Sequence, residues 1–233
     1  MSAALHVGVL NPNRSAWMTQ RVCEALAAAL GPQAELQGLT AYQGPEVIHD
    51  LATFEQAGRH IHAEAHALVR RHGAPQALLL ACFGDPGLEA LQADEALPPT
   101  VGLAQAAMQR AAEGGHRFAV LTCGRDWDAL LRQRAQDFGL ARQLAGVWTL
   151  PVNGAVFAQD PQAGWPVLLQ MAEAAAAAGA TRLVLGGAVF AGLPPPQLPP
   201  ALRHVSWVDA IEAAARALRQ QAPRRPGATA GLR

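Results

Sequence analysis

The three cysteines are the residues of this sequence with the widest chemical scope, and Cys82 stands in the most distinctive setting. It follows an apolar run and belongs to the segment A-C-F-G-D-P-G-L, from Ala81 to Leu88. In this segment Asp85 is placed as a helix N-cap and Pro86 as the first helical residue. A thiol near the positive end of a helix favours its thiolate and is suited to proton transfer. Cys82 is therefore a candidate acid/base, and a buried structural cysteine is the alternative.

The other two cysteines have weaker signals. Cys123 also follows an apolar run, in L-T-C-G-R, so it could face the same cleft between structural elements as Cys82. The sequence nevertheless favours a non-catalytic role for Cys123. Cys23 stands beside Val22 and near Leu26 in a predicted helix, which indicates core packing. The odd number and the lack of C-x-x-C spacing favour free thiols and a reduced, cytoplasmic setting.

Histidines clustered in one predicted helix raise the question of a metal. His60, His62 and His66 occur in R-H-I-H-A-E-A-H, and the last two are one helical turn apart. The pattern is not H-E-x-x-H, and the sequence offers no cysteine or carboxylate cluster to complete a ligand set. We therefore expect a solvated helical face and no metal.

Missing residue types exclude several classes of enzyme. All 18 cationic residues counted as Lys or Arg are arginines. Without lysine the chain cannot be a pyridoxal-phosphate enzyme, a Schiff-base aldolase or a P-loop protein. None of the three serines (Ser2, Ser15 and Ser206) lies in G-x-S-x-G, and no G-x-G-x-x-G follows a strand. We expect no cofactor.

Size and charge limit the partners. The chain has 233 residues, a formal net charge of zero and 15% charged residues. That length allows one large domain or two small lobes, and the charge provides nothing to neutralise a phosphate backbone. The first residues lack the basic segment of a signal peptide, and no apolar run reaches membrane-spanning length. We expect a soluble, cytoplasmic protein that binds neither nucleic acid nor membrane.

Apolar runs rich in Val and Leu alternate with alanine-rich stretches of helical periodicity, a pattern typical of parallel α/β sheets. The predicted strands are His6–Leu10, Ala34–Leu39, Ala77–Ala81, Thr100–Leu103, Arg117–Leu121, Gly146–Leu150, Arg182–Leu185 and His204–Trp207. The predicted helices are Ser15–Leu30, Thr53–His72, Pro86–Gln92, Ala104–Glu113, Asp126–Phe138, Gln162–Ala178 and Val208–Gln221.

An internal duplication is also visible. The segment from Ala77 to Leu88 aligns with Arg182 to Leu193, and His6 to Arg14 aligns with Arg117 to Arg125. The fold class predicted is therefore α/β with two pseudo-symmetric lobes, each a short parallel sheet flanked by helices, and an active site in the cleft between them. We place the lobes at residues 1–97 and 98–207, with helix 208–221 as a candidate to pack back on the first lobe. A disordered tail is expected at residues 222–233.

Polar loops after the predicted strands supply candidate substrate-binding groups. They offer amide and hydroxyl side chains and glycine backbone N–H groups, which suit a small carboxylate or carbonyl compound. Turn formation alone is the alternative reading. The candidates are Asn11, Asn13, Ser15, Phe83, Gly84, Thr122, Cys123, Gly187 and Ala188.

Taken together, these segments resemble the aspartate/glutamate/hydantoin racemase superfamily, and most closely its hydantoin racemase branch. The resemblance runs from the first strand to the last helix, and its most specific element is C-F-G-D-P-G. The further segments are N-P-N at Asn11 to Asn13, Gly44-Pro45-Glu46, V-G-L-A-Q-A-A at Val101 to Ala107, R-F-A-V-L-T at Arg117 to Thr122 and L-G-G-A at Leu185 to Ala188.

The resemblance implies a cofactor-independent enzyme, a homo-oligomer, and two cysteines on opposite faces of the substrate α-carbon. Cys82 matches the first of these cysteines, whereas Gly187 stands where the family has the second. Glycine has neither acid nor base, so two-thiol racemisation needs Cys123 or a water as a substitute. Asn13 and Thr122 would orient a carboxylate or carbonyl, and Gly187 and Ala188 would supply backbone donors.

Three functions remain open at this stage. The first is an isomerase that moves a proton at the carbon alpha to a carbonyl of a small amino acid, carboxylate or hydantoin, with Cys82 as acid/base. The second is a single-cysteine enantioselective decarboxylase of the arylmalonate type, whose cysteine lies on the lobe opposite to that of Cys82. The third is a degenerate protein that binds a small carboxylate without converting it.

Overall fold

A computed structural model describes residues 4–152 and 154–221 of the chain. Within them, two four-stranded, wholly parallel sheets are flanked by helices, which confirms the predicted two-lobed α/β class. The predicted tail, residues 222–233, lies outside the described residues.

The first sheet has the strand order β2-β1-β3-β4 and the second has the order β6-β5-β7-β8. The strands are β1 (Leu5–Asn11), β2 (Ala34–Thr40), β3 (Ala77–Leu80), β4 (Thr100–Gly102), β5 (Phe118–Cys123), β6 (Leu144–Leu150), β7 (Arg182–Gly186) and β8 (Ser206–Val208). The helices are α1 (Ala16–Leu30), α2 (Leu51–His72), α3 (Leu88–Ala93), α4 (Leu103–Ala112), α5 (Trp127–Asp137), α6 (Gly154–Gln159), α7 (Pro161–Ala177) and α8 (Ala210–Gln221).

The two sheets repeat one topology, as the internal duplication predicts. The aligned segments form β1 and β3 in the first sheet and β5 and β7 in the second. In each sheet these two strands are neighbours at the centre. These central strands are buried and rich in Val and Leu, as expected for parallel strands covered on both faces. The duplication therefore brings the loops after β3 and β7 to equivalent places in the two lobes.

Helices α4 and α8 join the lobes, because both pack against strands of the first and of the second sheet. The alanines of α4, such as Ala107 and Ala111, are fully buried and allow close helix packing. On α8, Leu218 is fully buried while its neighbour Gln220 is exposed. The core between the sheets is thus one continuous apolar cluster that includes Val9 of β1 and Val120 of β5.

The structure departs from the sequence prediction in the short elements. Helix α3 begins at Leu88 rather than Pro86, because Asp85 and Gly87 have φ angles of 56° and 77°, which no α-helix contains. Helix α6 was not predicted. Strand β4 pairs with β3, so the first sheet extends beyond residue 97, where the sequence analysis ends the first lobe.

No helix in residues 4–152 and 154–221 combines the length and the apolar character that a membrane crossing needs.

The packing of α8 gives a stability prediction. Leu218→Ala removes a fully buried side chain from the seam between the lobes, and we expect it to lower the free energy of unfolding by about 2–5 kcal/mol. Urea unfolding followed by circular dichroism measures this change. Gln220→Ala on the exposed face of α8 is the control and should change the value by less than about 0.5 kcal/mol. Equal stability of the two variants would contradict the assignment of α8 to the core.

Candidate active site

A cavity of about 170 Å³ lies between the carboxyl ends of the two sheets. This is where binding sites of open parallel sheets form, because loops from several strands converge there. Its described lining residues are Asn13, Ser15, Trp17, Met18, Val47, Ile48, His49, Ala81, Cys82, Phe83, Thr122, Cys123, Gly124, Trp127, Gly154, Gly186, Gly187, Ala188 and Val189. Both lobes contribute to the wall, as predicted.

The loop after β3 carries Cys82 into the cavity wall. The side chain is largely buried and packs in an apolar cluster with Ile48 and Ala57, against which Phe54 and Trp127 also pack. Gly84 lets Trp127 come close, since a Cβ at Gly84 would lie 2.8 Å from the indole ring. Cys82 therefore lies in a narrow, mostly dry part of the cavity.

Asp85 fixes the shape of the loop that carries Cys82. Its side chain has no exposed surface, and its two carboxylate oxygens accept the backbone N–H groups of Ala104 at 3.0 Å and Gln105 at 2.7 Å. Its own backbone N–H donates to the carbonyl of Cys82 at 3.1 Å. Asp85 thus caps α4, not the helix that follows it in sequence, so the predicted N-cap role was assigned to the wrong helix.

Gly102 makes this cap possible. A Cβ at Gly102 would lie 2.4 Å from a carboxylate oxygen of Asp85, which is closer than atoms can approach. The absence of a side chain therefore allows the carboxylate to reach the first turn of α4. The positive φ of Asp85 and the close approach that Gly102 permits together hold the Cys82 loop against α4.

Burial controls the protonation of the site. Desolvation, followed by the nearby charge of Asp85, raises the pKa of the Cys82 thiol well above its usual range. The sequence predicted the opposite, a thiolate favoured by the helix dipole. That expectation is wrong because α3 begins six positions after Cys82, outside the reach of its N-terminal N–H groups. Burial also raises the pKa of Cys123 to about 12. Both thiols are therefore in their protonated form at neutral pH.

The second lobe presents backbone, not side chains, at the place equivalent to Cys82. Gly187 lines the cavity with an extended backbone (φ 163°, ψ 136°), and the hydroxyl of Thr122 donates to the carbonyl of Gly186. The ring of Phe83 crosses from the first lobe and rests on Gly186, where a Cβ would lie 2.8 Å from it. Thr122 therefore braces β5 against β7, and its oxygen can still accept one hydrogen bond from a ligand.

The loop after β1 is organised by a buried amide. The Nδ2 group of Asn11 donates to the Oδ1 of Asn13, the carbonyl of Ser15 and the hydroxyl of Thr19 at 2.9–3.0 Å. Asn13 Oδ1 also accepts the N–H of Ser15. Among the described residues Asn13 Nδ2 has no protein acceptor, so its N–H groups are available at the cavity wall. Ser15 occupies the N-cap of α1, but its hydroxyl makes no capping bond. The hydroxyl and the N–H groups of the first turn are therefore both available at the cavity wall.

Eight of the ten site residues predicted from the sequence line the cavity. Cys82 is among them, with Asn13, Ser15, Phe83, Thr122, Cys123, Gly187 and Ala188. Asn11 and Gly84 are not in the wall: Asn11 shapes the loop and Gly84 makes room for Trp127. Cys23, predicted to be structural, is half-buried on α1 and packs against the main core.

Sequence reasoning missed the apolar part of the wall. It is lined by Trp17, Met18, Val47, Ile48, Trp127 and Val189, and His49 is the one histidine in the described wall. Val47 to His49 follow the segment Gly44-Pro45-Glu46, so the family motif in that loop was a signal for them. Trp17 and Trp127 gave no such signal. Both lie at the start of a helix, where a tryptophan in the sequence looks like an ordinary surface or core residue.

The fold and the cavity define a two-lobed α/β enzyme whose site forms from duplicated loops. The chain belongs to the Asp/Glu/hydantoin racemase family, whose model matches residues 7–218. The homologues named below support a racemase-like enzyme.

Relatives with the family's activities in their names cover nearly the whole chain. This chain is 29% identical to the hydantoin racemase of Paenarthrobacter aurescens over 214 residues. The aligned span covers 91% of this chain and 89% of that protein. The structure superposes on allantoin racemase from Pseudomonas fluorescens with a TM-score of 0.82 and 26% identity, covering 93% and 90% of the two chains. Allantoin racemase from Klebsiella pneumoniae gives a TM-score of 0.79 at 25% identity, covering 93% and 87%.

Burial of Asp85 predicts a pH dependence of stability. Desolvation raises its pKa to about 7 in the folded protein, against about 3.9 in an unfolded chain. Between these values the folded protein keeps a proton that the unfolded chain has lost, so the free energy of unfolding falls as pH rises from about 4 to about 7. Asp85→Asn removes this titration, and its stability relative to the wild type should improve by on the order of 2 kcal/mol over that range.

Urea unfolding of both proteins between pH 4.5 and 8 measures the difference. Asp126→Asn, on an exposed side chain at the start of α5, is the control and should run parallel to the wild type. If Asp85→Asn also ran parallel, Asp85 would be ionised throughout the range and the raised pKa would be refuted.

Proposed function

We propose that this enzyme moves a proton at the carbon alpha to a carbonyl of a hydantoin-type cyclic ureide, with Cys82 as the acid/base. The observation that carries the proposal is the buried thiol of Cys82 in the loop after β3, set in the wall of a cavity that both lobes form. The names of the relatives, hydantoin racemase and allantoin racemase, support the choice of reaction and substrate class.

The charge of the cavity favours a neutral ring over a free amino acid. Its described lining contains no arginine, aspartate or glutamate, and the chain has no lysine. The one histidine of the described lining, His49, already faces the carboxylate of Asp50 at 3.4 Å. A substrate carboxylate would therefore be desolvated without a free cationic partner, which is costly. A cyclic ureide instead presents neutral N–H and C=O groups, which match Asn13 Nδ2, Thr122 Oγ1 and the backbone N–H groups near Gly187. The apolar walls suit a hydrocarbon substituent on the ring.

The chemical step follows from these groups. Cys82 first releases its thiol proton to solvent water. The Sγ thiolate then takes the proton from the ring carbon and becomes the thiol again, and the electron pair of the C–H bond moves onto the adjacent carbonyl to give an enolate. Hydrogen-bond donors in the loops stabilise the oxygen as its charge develops. The protonated thiol of the free enzyme is the form that returns a proton to the carbon. Because Cys82 lies on one wall, it serves one face of the ring.

The opposite face determines whether configuration is lost. Gly187 provides no acid or base there, but Cys123 of the second lobe lines the same cavity and is largely buried. Racemisation requires Cys123 or a water molecule to protonate the second face. Without such a partner, the enzyme exchanges the proton with retention of configuration.

One observation favours a second candidate function. A thiol whose pKa is raised is a proton donor at neutral pH, which is what a decarboxylase needs to protonate the enolate left after loss of carbon dioxide. Arylmalonate decarboxylase shares the fold, with a TM-score of 0.65 at 16% identity. The missing cation in the described wall argues against a malonate dianion. A small-carboxylate-binding role without turnover meets the same objection.

Replacement of Cys82 tests the proposal. Cys82→Ser should reduce exchange of the ring proton with deuterium by at least about a hundredfold, because an alcohol is a far weaker acid and base than a thiol. Proton NMR of single-enantiomer 5-substituted hydantoins in deuterated water measures the rate, with optical rotation recorded in parallel. Cys23→Ser, half-buried away from the cavity, is the matched control and should keep the wild-type rate.

The outcomes separate the candidate functions. Loss of exchange in Cys82→Ser alone supports the proposal, and full exchange in that variant refutes it. Carbon dioxide release from a disubstituted malonate, with no exchange on hydantoins, would establish the decarboxylase instead. If Cys123→Ser abolished optical inversion but kept exchange, Cys123 would be the second acid/base.

The glycine of the second lobe gives a further prediction. Gly187→Cys should raise the rate of racemisation relative to exchange by about tenfold or more, because it supplies a thiol to the second face. The extended backbone accepts a side chain, and a Cβ would lie 3.3 Å from Phe190 and 3.4 Å from Val189, so only small movements are needed. Gly187→Ala adds the same Cβ without a thiol and is the control. Equal racemisation by the two variants would show that the second face is not reached from position 187.

A further inference from the structure

A cluster of three ligand atoms lies on the outer side of the first lobe, among residues that do not line the cavity. The Nε2 atoms of His62 and His66 are each 2.8 Å from the same oxygen, Oδ2 of Asp94. The histidines are one turn apart on α2, and Asp94 ends α3. The sequence analysis found no carboxylate to complete the histidine pair, because Asp94 is 28 residues from His66 in sequence.

The Asp94 carboxylate is held in place from its other side. Its Oδ1 accepts the backbone N–H of Ala96 at 2.8 Å, which leaves Oδ2 directed at the histidines. This is the arrangement in which a second hydrogen bond orients a metal-binding carboxylate. The side chains of His62, His66 and Asp94 are 41%, 30% and 22% exposed, so an ion can enter from solvent and keep a bound water.

The spacing of the ligand atoms fits a small divalent ion. All three atoms lie within 4.8 Å of one another. Two ligands at about 2.1 Å from a tetrahedral ion lie about 3.4 Å apart, so the 2.8 Å contacts need to open by only roughly half an ångström. Two imidazoles and one carboxylate suit Zn²⁺, whereas Mg²⁺ and Ca²⁺ prefer oxygen ligands.

We propose that His62, His66 and Asp94 form a site for Zn²⁺, with water in the fourth position. The ion would join α2 to the end of α3. These two helices flank the Cys82 loop: Gly58 of α2 lies against Gly87, so closely that a Cβ on Gly87 would be 2.9 Å from the Gly58 carbonyl and 2.8 Å from Ile61. An ion at this place therefore stabilises the part of the first lobe that positions Cys82.

The test is metal binding to the full-length protein, prepared without metal in a chelator and then dialysed. Isothermal titration with Zn²⁺ should show one ion per chain, Co²⁺ should give the visible absorption of a tetrahedral ion, and Mg²⁺ should not bind. Saturating Zn²⁺ should also raise the melting temperature, because the ion binds the folded state. Asp94→Asn and His66→Ala should each weaken Zn²⁺ binding at least about tenfold and abolish the rise in melting temperature.

Controls separate this site from other ligands. His60→Ala, on the same helix but outside the cluster, should bind as the wild type does. Cys82→Ser should also bind normally, since the cavity thiols are not ligands in the proposal. If binding were lost in Cys82→Ser but retained in Asp94→Asn, the ion would lie in the cavity, and the proposal would be wrong.

Absence of specific Zn²⁺ binding would also refute the proposal. Circular dichroism and a metal-free melting curve establish that each variant is folded before it is titrated. If the folded wild type binds Zn²⁺ no more tightly than Asp94→Asn, the cluster is a hydrogen-bonded tie between two helices and not a metal site.

Discussion

The geometry of the site depends on one buried carboxylate. Asp85 has no contact with solvent, accepts two backbone N–H groups of α4 and holds the chain at positive φ directly after the loop that carries Cys82. A buried acceptor is costly unless its partners are present, so the loop and the helix are stable only together. Cys82 is buried in the same loop, and its burial, with the nearby charge of Asp85, raises the pKa of the thiol. Position and protonation of Cys82 therefore both depend on how this loop is buried.

Duplication gives the enzyme two equivalent loops that have diverged. The lobes share strand order, and the loops after β3 and β7 both reach the cavity, yet one ends in a thiol and the other in a glycine. Phe83 occupies the seam by resting on Gly186, an approach that only glycine allows. The two loops thus differ in their side chains at the cavity, while the extended backbone at position 187 can carry an L side chain.

The eight strands and seven of the helices were predictable because local pattern determines them. Buried parallel strands are continuous apolar runs, and the alanine-rich helices keep their period over many residues. Prediction identified residues that line the cavity where loops follow strands, as for Cys82 and Asn13. It failed where the partner is distant in sequence: Asp85 with α4, Asp94 with the α2 histidines, and Val47 to His49 with the cavity. Such pairings depend on how elements pack, which the period of a single segment does not encode.

The open N-terminus of α1 has an energetic consequence for ligand binding. Ser15 stands at the N-cap without making the bond that would satisfy an N–H of the first turn, a loss of about 1 kcal/mol for an ordinary helix. A ligand oxygen that accepts a hydrogen bond there completes the turn and recovers that energy. Part of the ligand's affinity then comes from satisfying N–H groups that are unpaired in the first turn of α1. Occupancy of the cavity and order at the start of α1 are thereby thermodynamically linked.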